Sequence, residues 1–267
     1  MSALVWIDGQ PCTELPLALP GWPFADGVFR TALVHQGQVI DMAGQVSHLQ
    51  ADGERLDLRA PDADWAAWLT QAAQGCARGR LRMMLLRTAG GAGYQTPEAP
   101  ARCWIDLQPL TRVLNPEPLS LVASRITLAE QPALAGIKHL NRLEQVLAAR
   151  AALEPNNEQL LCDGAGRPIS TGRANLFWVQ DGALHTPALD RCGIAGRTRA
   201  RIIELAAAND VALHLGGWPL ASLQSAEEVF VCNSLIGIQP VSDCLGRDIA
   251  APGPVTHRLI QQLQHPM

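Results

Sequence analysis

The sequence predicts an α+β fold of two domains, and three observations lead there. Short apolar segments of strand character alternate with segments of helical period along the whole chain. The dipeptide Gln36-Gly37 falls between two apolar runs, Val28 to His35 and Gln38 to Met42, and reads as the turn of a β-hairpin. The stretch Gln108 to Pro118 holds Pro109, Pro116 and Pro118 with no hydrophobic period, which marks a domain boundary. A chain of 267 residues suffices for one large domain or two small ones. The expected division is 1–112, a linker over 113–118, and 119–267.

In order, Leu4 to Ile7 is a strand turned by Asp8-Gly9, and the hairpin follows. Gln45 to Leu56 and Asp62 to Ala77 have helical period. Leu81 to Thr88 and Ala101 to Leu107 are apolar strands around a glycine-rich loop, Ala89 to Tyr94. Beyond the boundary, Leu119 to Ile126 is a strand, and a loop then delivers Lys138. Asn141 to Leu153 is the clearest helix. Asn141 suits an N-cap, Glu144 completes a capping-box-like pattern, and Leu140, Leu143, Val146, Leu147 and Ala151 form one apolar stripe. Gln159 to Cys162, Leu176 to Val179 and Ala183 to Thr186 are strands. A glycine loop, Gly193 to Gly196, opens a helix from about Thr198 to Ala208, and strands at Val211 to Leu215 and Val229 to Cys232 follow.

Composition narrows the function. Hydrophobic content of 48% and charged content of 17% describe a globular chain, and a net charge of −4 offers no general attraction to nucleic acid or anionic membrane. No apolar run spans a bilayer and the N-terminus lacks a signal-peptide pattern, so a cytoplasmic protein is expected. The seven cysteines are scattered without a C-x-x-C pair and the histidines show no H-E-x-x-H spacing. Neither a disulfide framework nor a metal site is expected, and most cysteines read as small buried hydrophobes.

Of the 21 basic residues one, Lys138, is a lysine. Arginine solvates a surface as well as lysine does, but it offers no primary amine that loses its proton and attacks a carbonyl. Lys138 is therefore a candidate Schiff-base residue. The loop Cys192 to Thr198 before a helix presents backbone N–H groups and the positive end of the helix dipole, a place suited to phosphate. Gly196, Arg197 and Thr198 belong to it, and Asn233-Ser234, just past a strand, are further donors. A reactive lysine with a phosphate cradle suggests pyridoxal phosphate.

The segment Ala135-Gly136-Ile137-Lys138-His139-Leu140-Asn141-Arg142-Leu143-Glu144-Gln145 resembles the lysine segment of the lyase members of the class IV aminotransferase family, fold type IV of the pyridoxal phosphate enzymes. Asp26 to Thr31 resembles that family's D-G-x-F-x-T motif, Gly90 to Tyr94 its G-G-R-G-Y loop, and Ala174 to Trp178 its A/S-N-L-F-W strand. Cys192 to Arg199 resembles its phosphate loop, and Glu228 to Asn233 with Gln239-Pro240-Val241 its last motif. The resemblance implies the two-domain architecture shared with D-amino acid aminotransferases, a site at the domain interface, and a homodimer. Lys138 would be catalytic. Gly196, Arg197, Thr198, Asn233 and Ser234 would bind phosphate, and Thr31 and Tyr94 would contact substrate.

The departures fall on cofactor and substrate contacts. His48 stands where the family has a phosphate-gripping Arg. Ser170 stands where a Glu pairs with the pyridine nitrogen, and Ala92 where the loop has its Arg. A serine hydroxyl cannot offset a pyridinium charge, so the electron sink is weaker. Amino-group transfer depends heavily on that sink. An elimination, in which a leaving group takes up the electrons, depends on it less. The resemblance thus implies a lyase releasing pyruvate and 4-aminobenzoate from 4-amino-4-deoxychorismate for folate synthesis. The alternatives are a class IV amino-acid aminotransferase and a relative that has lost pyridoxal phosphate and has another role.

Overall fold

The computed structural model describes residues 4–12, 21–60, 62–88, 94–95, 99–111, 117–151, 154 and 156–266. The chain divides into two units, Met1–Val113 with Lys138–Asn141, and Leu114–Ile137 with Arg142–Met267.

The first unit contains β1 (Leu4–Ile7), β2 (Gln10–Cys12), α1 (Gly21–Phe24), β3 (Gly27–His35), β4 (Gln38–Val39), α2 (Met42–Glu54), α3 (Trp65–Ala73), β5 (Arg78–Leu86) and β6 (Arg102–Pro109). Its sheet runs β2-β1-β6-β5-β3-β4, antiparallel throughout. The β3–β4 hairpin forms as expected, with Gln36 at φ 50° and Gly37 at φ 75°, both in the left-handed region that such a turn requires. Helix α2 packs on β3 through Gln45, Leu49, Asp52 and Gly53, a face repeating at helical spacing. It starts at Met42, ahead of the expected Gln45. Helix α3 is shorter than Asp62 to Ala77. Asp64 caps it by accepting from the Ala67 N–H at 3.0 Å, and Gly75 at φ 74° closes it.

The second unit contains β7 (Leu119–Thr127), α4 (Leu143–Ala151), β8 (Asn157–Cys162), β9 (Pro168–Thr171), β10 (Asn175–Gln180) and β11 (Ala183–Pro187). There follow α5 (Arg197–Ala208), β12 (Leu213–Gly216), α6 (Leu220–Gln224), β13 (Glu228–Asn233), β14 (Gly237–Cys244), β15 (Arg247–Asp248) and α7 (Pro254–Leu263). The sheet runs β12-β11-β10-β13-β14-β7-β8-β9, and β9 returns to pair β10 at Ser170 opposite Asn175. The strands β10-β13-β14-β7-β8-β9 thus close into a barrel. Leu121, Leu160, Leu176, Trp178, Val231 and Val241 fill one core cluster. The alternate residues Phe177, Val179, Phe230 and Cys232 pack instead with Ile202 of α5 and Leu259 and Leu263 of α7. Strand β10 is therefore buried on both faces, which is why Leu-Phe-Trp-Val reads as an unbroken apolar run.

Two sequence expectations change here. Helix α4 starts at Leu143, and the capping box does not form. Asn141 donates to the Ala25 carbonyl at 3.3 Å, and the Glu144 carboxylate accepts from the Ala129 N–H at 2.7 Å. The apolar stripe also faces outward. Leu143 is 76% exposed, Val146 42% and Leu147 47%, while Ala148 is the buried residue of the helix. Strands β9 and β14 carry Pro168 and Pro240, residues that argue against a strand in a sequence reading. Pro168 starts its strand, and Pro240 lies one residue before pairing with β7 begins at Val241 opposite Leu119. Among the described residues no helix is long and apolar enough to cross a membrane.

None of the seven cysteines is in a disulfide. Burial pushes the Cys103 thiol up to about 12 and those of Cys192 and Cys244 each to about 11, and it raises wholly buried Cys232 further. A thiol protonated in the folded chain but ionised when unfolded makes the folded state bind more protons, so stability falls as pH rises above the ordinary value of 9.0. Urea unfolding at pH 8 to 10.5 tests this. Cys232→Ala is expected to reduce the downward slope above pH 9.0 by up to about 1.4 kcal/mol per pH unit.

Candidate functional site

Lys138 lies in the first unit, whereas the sequence reading assigned it to the second domain. The reason is a strand-like attachment to β3. The Phe29 N–H donates to the Lys138 carbonyl at 2.9 Å, the Leu140 N–H donates to the Gly27 carbonyl at 3.0 Å, and Val28 bridges His139 antiparallel. Gly27 makes this approach sterically feasible. A Cβ there would lie 2.7 Å from both the Leu85 carbonyl oxygen and Leu140 Cδ1. The Lys138 N–H donates to Asp52 Oδ2 on α2 at 3.0 Å. Both backbone polar groups of the lysine are thus tied to regular elements.

Asp52 is itself held by Arg30, whose Nη2 donates to the same carboxylate oxygen at 2.5 Å. Both are buried, with Arg30 2% exposed and Asp52 6%. Burial pulls the Arg30 guanidinium below its ordinary value, and Asp52 opposes that. On the other face of β3, Lys138 Nζ lies 4.7 Å from the centre of the Phe29 ring, and the Arg82 guanidinium lies 5.8 Å from it. Thr31 sits two residues along that face, opposite Arg82 in register. Arg82 and Arg80 flank Asp106, whose carboxyl burial raises above the usual range while the two arginines pull it back. His48 is half-buried on α2, one turn before Asp52. Tyr94 is 86% exposed, its ring 5.1 Å from that of Phe24. Ala92 lies outside the described residues.

In the second unit the glycine loop is held from two sides. The Gly136 N–H donates to the Gly193 carbonyl at 3.0 Å and the Ala195 N–H to the Gly136 carbonyl at 2.9 Å, so the loop pairs with the segment two residues before Lys138. Gly136 has φ 80°, a conformation that favours glycine. On the other side Asn175 Nδ2 donates to the Ile194 carbonyl at 2.8 Å. Gly196 is pressed so close that a Cβ would meet Asn175 Oδ1 at 2.3 Å. Gly196 opens α5 with no side-chain cap, leaving the helix start to its own N–H groups. The Thr198 and Ser234 hydroxyls meet at 3.5 Å beside it. Arg197 reaches along α5 to Glu204 at 3.0 Å.

Asn233 is used differently from the sequence expectation. Its Oδ1 accepts the Leu235 and Ile236 N–H groups and its Nδ2 donates to the Arg173 carbonyl, so it shapes the turn that carries Ser234. Ser170 is buried on β9 opposite Asn175. Arg199, in the segment that resembles the phosphate loop, is 9% exposed. Its guanidinium donates to Thr186 Oγ1 and the Pro187 carbonyl, both neutral oxygens, and no carboxylate pairs with it among the described residues. Burial lowers Arg199, and the Cys232 sulfur acts in the opposite direction.

The structure brings Gly196, Thr198 and Ser234 together and sets Lys138 against β3. Arg30, Asp52, Phe29 and Arg82, the surroundings of Lys138, were not among the expected site residues. A signal was present: Arg30 falls on the core phase of β3 with Val28, Ala32 and Val34, and Asp52 on the core phase of α2 with Leu49. Opposite charges on two facing apolar phases mark a buried ion pair.

The fold and the lysine mount define an enzyme class. A family model described as amino-transferase class IV matches residues 27–244, and the chain belongs to that family. Within it the aminodeoxychorismate lyase of Vibrio harveyi is 31% identical over 253 residues, covering 90% of each chain. A 4-amino-4-deoxychorismate lyase structure from Pseudomonas aeruginosa superposes with a TM-score of 0.90 at 34% identity over 98% of both chains. A D-alanine aminotransferase of Listeria monocytogenes serotype 4b (strain F2365) is 26% identical over 262 residues, 90% of this chain and 86% of its own. A branched-chain aminotransferase from Thermoproteus uzoniensis shares the fold at a TM-score of 0.85 and 18% identity, covering 98% of this chain and 93% of its own.

Gly196 has φ −72°, so its lack of a side chain serves space and not conformation. Gly196→Ala is expected to lower unfolding free energy by ~1–3 kcal/mol. Combining it with Asn175→Ala removes the clashing oxygen, so urea titrations of both singles and the double should show a double variant less destabilised than the sum of the singles.

Proposed function

We propose that this enzyme is a pyridoxal 5′-phosphate-dependent lyase that converts 4-amino-4-deoxychorismate into pyruvate and 4-aminobenzoate, a step of folate synthesis. The observation that carries the reading is the chain's one lysine, fixed at both backbone groups while its amine reaches past an aromatic ring. The lyase relatives, similar over nearly the whole chain, support this substrate over an amino acid.

The residues present suit a phosphorylated aldehyde. Gly196 brings backbone close without a Cβ, the start of α5 offers N–H donors, and Thr198 and Ser234 offer hydroxyls. The uncancelled charge of buried Arg199 favours an anion there. In this reading Arg197 and His48 add cationic character, Asn233 shapes the Ser234 turn, and Ser170 faces the pyridine nitrogen with a hydroxyl. When bound, pyridoxal phosphate supplies an aldehyde carbon for an amine and a conjugated ring that withdraws electrons. Lys138 Nζ holds the cofactor and then moves protons at the reacting carbon. Thr31, on the sheet face beside Phe29, and Tyr94 contact substrate. Ser170 favours elimination over amino transfer, because it leaves the ring nitrogen without a counter-charge.

The enzyme acts as a homodimer, a reading supported by the outward Leu143, Val146 and Leu147 of α4, an apolar row that a second copy would cover. Its place of action is the cytoplasm.

Adding pyridoxal phosphate to the purified protein is expected to give a saturable visible absorbance band that Lys138→Ala lacks. No Lys138-dependent band at saturating cofactor would defeat the reading. In sedimentation velocity the wild type should run as a dimer, and Leu143→Glu with Leu147→Glu should shift it to monomer.

A further inference from the structure

We infer that the buried Arg30–Asp52 pair is a positioning device for the Lys138 amine, and this rests on the cofactor reading above. The pair lies inside the first unit and touches the lysine through its backbone: one carboxylate oxygen receives the Arg30 Nη2–H at 2.5 Å and the Lys138 N–H at 3.0 Å.

Stability alone is a poor reason for such a pair. Taking a guanidinium and a carboxylate out of water costs several kcal/mol per ion, and apolar residues of equal volume commonly serve a core as well or better. What apolar residues cannot supply is an acceptor for the Lys138 N–H. The β3 side already binds the Lys138 carbonyl through Phe29. A segment held by one peptide group alone can rotate about its Cα, while holding the groups on both sides of that Cα fixes the direction of the Cα–Cβ bond from which the side chain starts. Asp52 provides the second hold from α2, and the Arg30 Nη2–H keeps that carboxylate aimed. The amine then leaves over the Phe29 ring, at 4.7 Å from its centre. Arg30 and Asp52 are positioning residues and touch no reacting atom.

The single lysine makes the test direct. Lys138 condenses with the aldehyde of pyridoxal phosphate, losing water, and borohydride reduces the C=N bond to a stable amine that peptide mass spectrometry locates. Capture rates are compared for the wild type, for Arg30→Met/Asp52→Leu, which removes charge and acceptor at similar volume, and for Arg30→Gln/Asp52→Asn, which removes charge but keeps an amide oxygen for the Lys138 N–H. Reductive methylation with formaldehyde and cyanoborohydride runs alongside as a measure of amine exposure, and melting temperature as a measure of folding.

The expected result is capture at least tenfold slower in the apolar variant, methylation within about twofold of wild type, and capture largely restored in the amide variant. Capture at the wild-type rate by a folded apolar variant overturns the inference while leaving the cofactor reading intact. No capture by the wild type overturns the cofactor reading, and the inference with it. Should the apolar variant not fold, amide hydrogen exchange on the wild type decides: the Lys138 N–H is expected to be protected at least 100-fold, and exchange at the free-peptide rate would overturn the inference.

Discussion

The backbone of Lys138 has both of its polar groups committed, its N–H to Asp52 and its carbonyl to Phe29, and much of the first unit is arranged so that this holds. Gly27 lacks a side chain so that the lysine segment can lie along β3. Arg30 is buried beside Asp52 and holds its carboxylate. Upstream, Gly136 takes a left-handed conformation and exchanges two hydrogen bonds with the loop that opens α5. In the first unit the lysine is thus pinned to a sheet and a helix, and in the second unit Gly136 is pinned to the glycine loop. Such mounting sets where a reactive amine can go before any ligand arrives.

Charge is placed with the same economy of neighbours. Arg30 has a carboxylate and is neutralised, whereas Arg199 is buried against a hydroxyl and a carbonyl and remains a net cation near the start of α5. The first arrangement suits geometry and the second suits holding an anion. Ser170 and His48 stand where the family resemblance would supply a carboxylate and a guanidinium, so under the proposed function backbone donors and Arg199 carry more of the hold on an anion, and a ring nitrogen meets a weaker counter-charge.

The amino-acid sequence displayed a good part of this. Hairpin chemistry at Gln36-Gly37, the doubly buried run of β10 and the glycine loop before α5 were all legible, because each is a local pattern with one cheap backbone solution. Lys138 stood out because nothing else in the chain offers its chemistry. Strands β9 and β14 were hidden by Pro168 and Pro240, which fit only because of where partner strands begin. The helix after the lysine was legible as a helix, but the period of Leu143, Val146 and Leu147 says that these residues share a face and not that the face looks outward. The Arg30–Asp52 pair was hidden for a related reason: phase places each charge in the core, and only the packing of α2 on β3 brings them together.

The proposed lyase reaction is tested by incubating the pyridoxal phosphate-loaded enzyme with 4-amino-4-deoxychorismate and measuring pyruvate and 4-aminobenzoate together. Equal amounts of both are expected, none with Lys138→Ala, and no transfer of the amino group to an added keto acid. Amino-group transfer without pyruvate, or pyruvate release that survives Lys138→Ala, would contradict it.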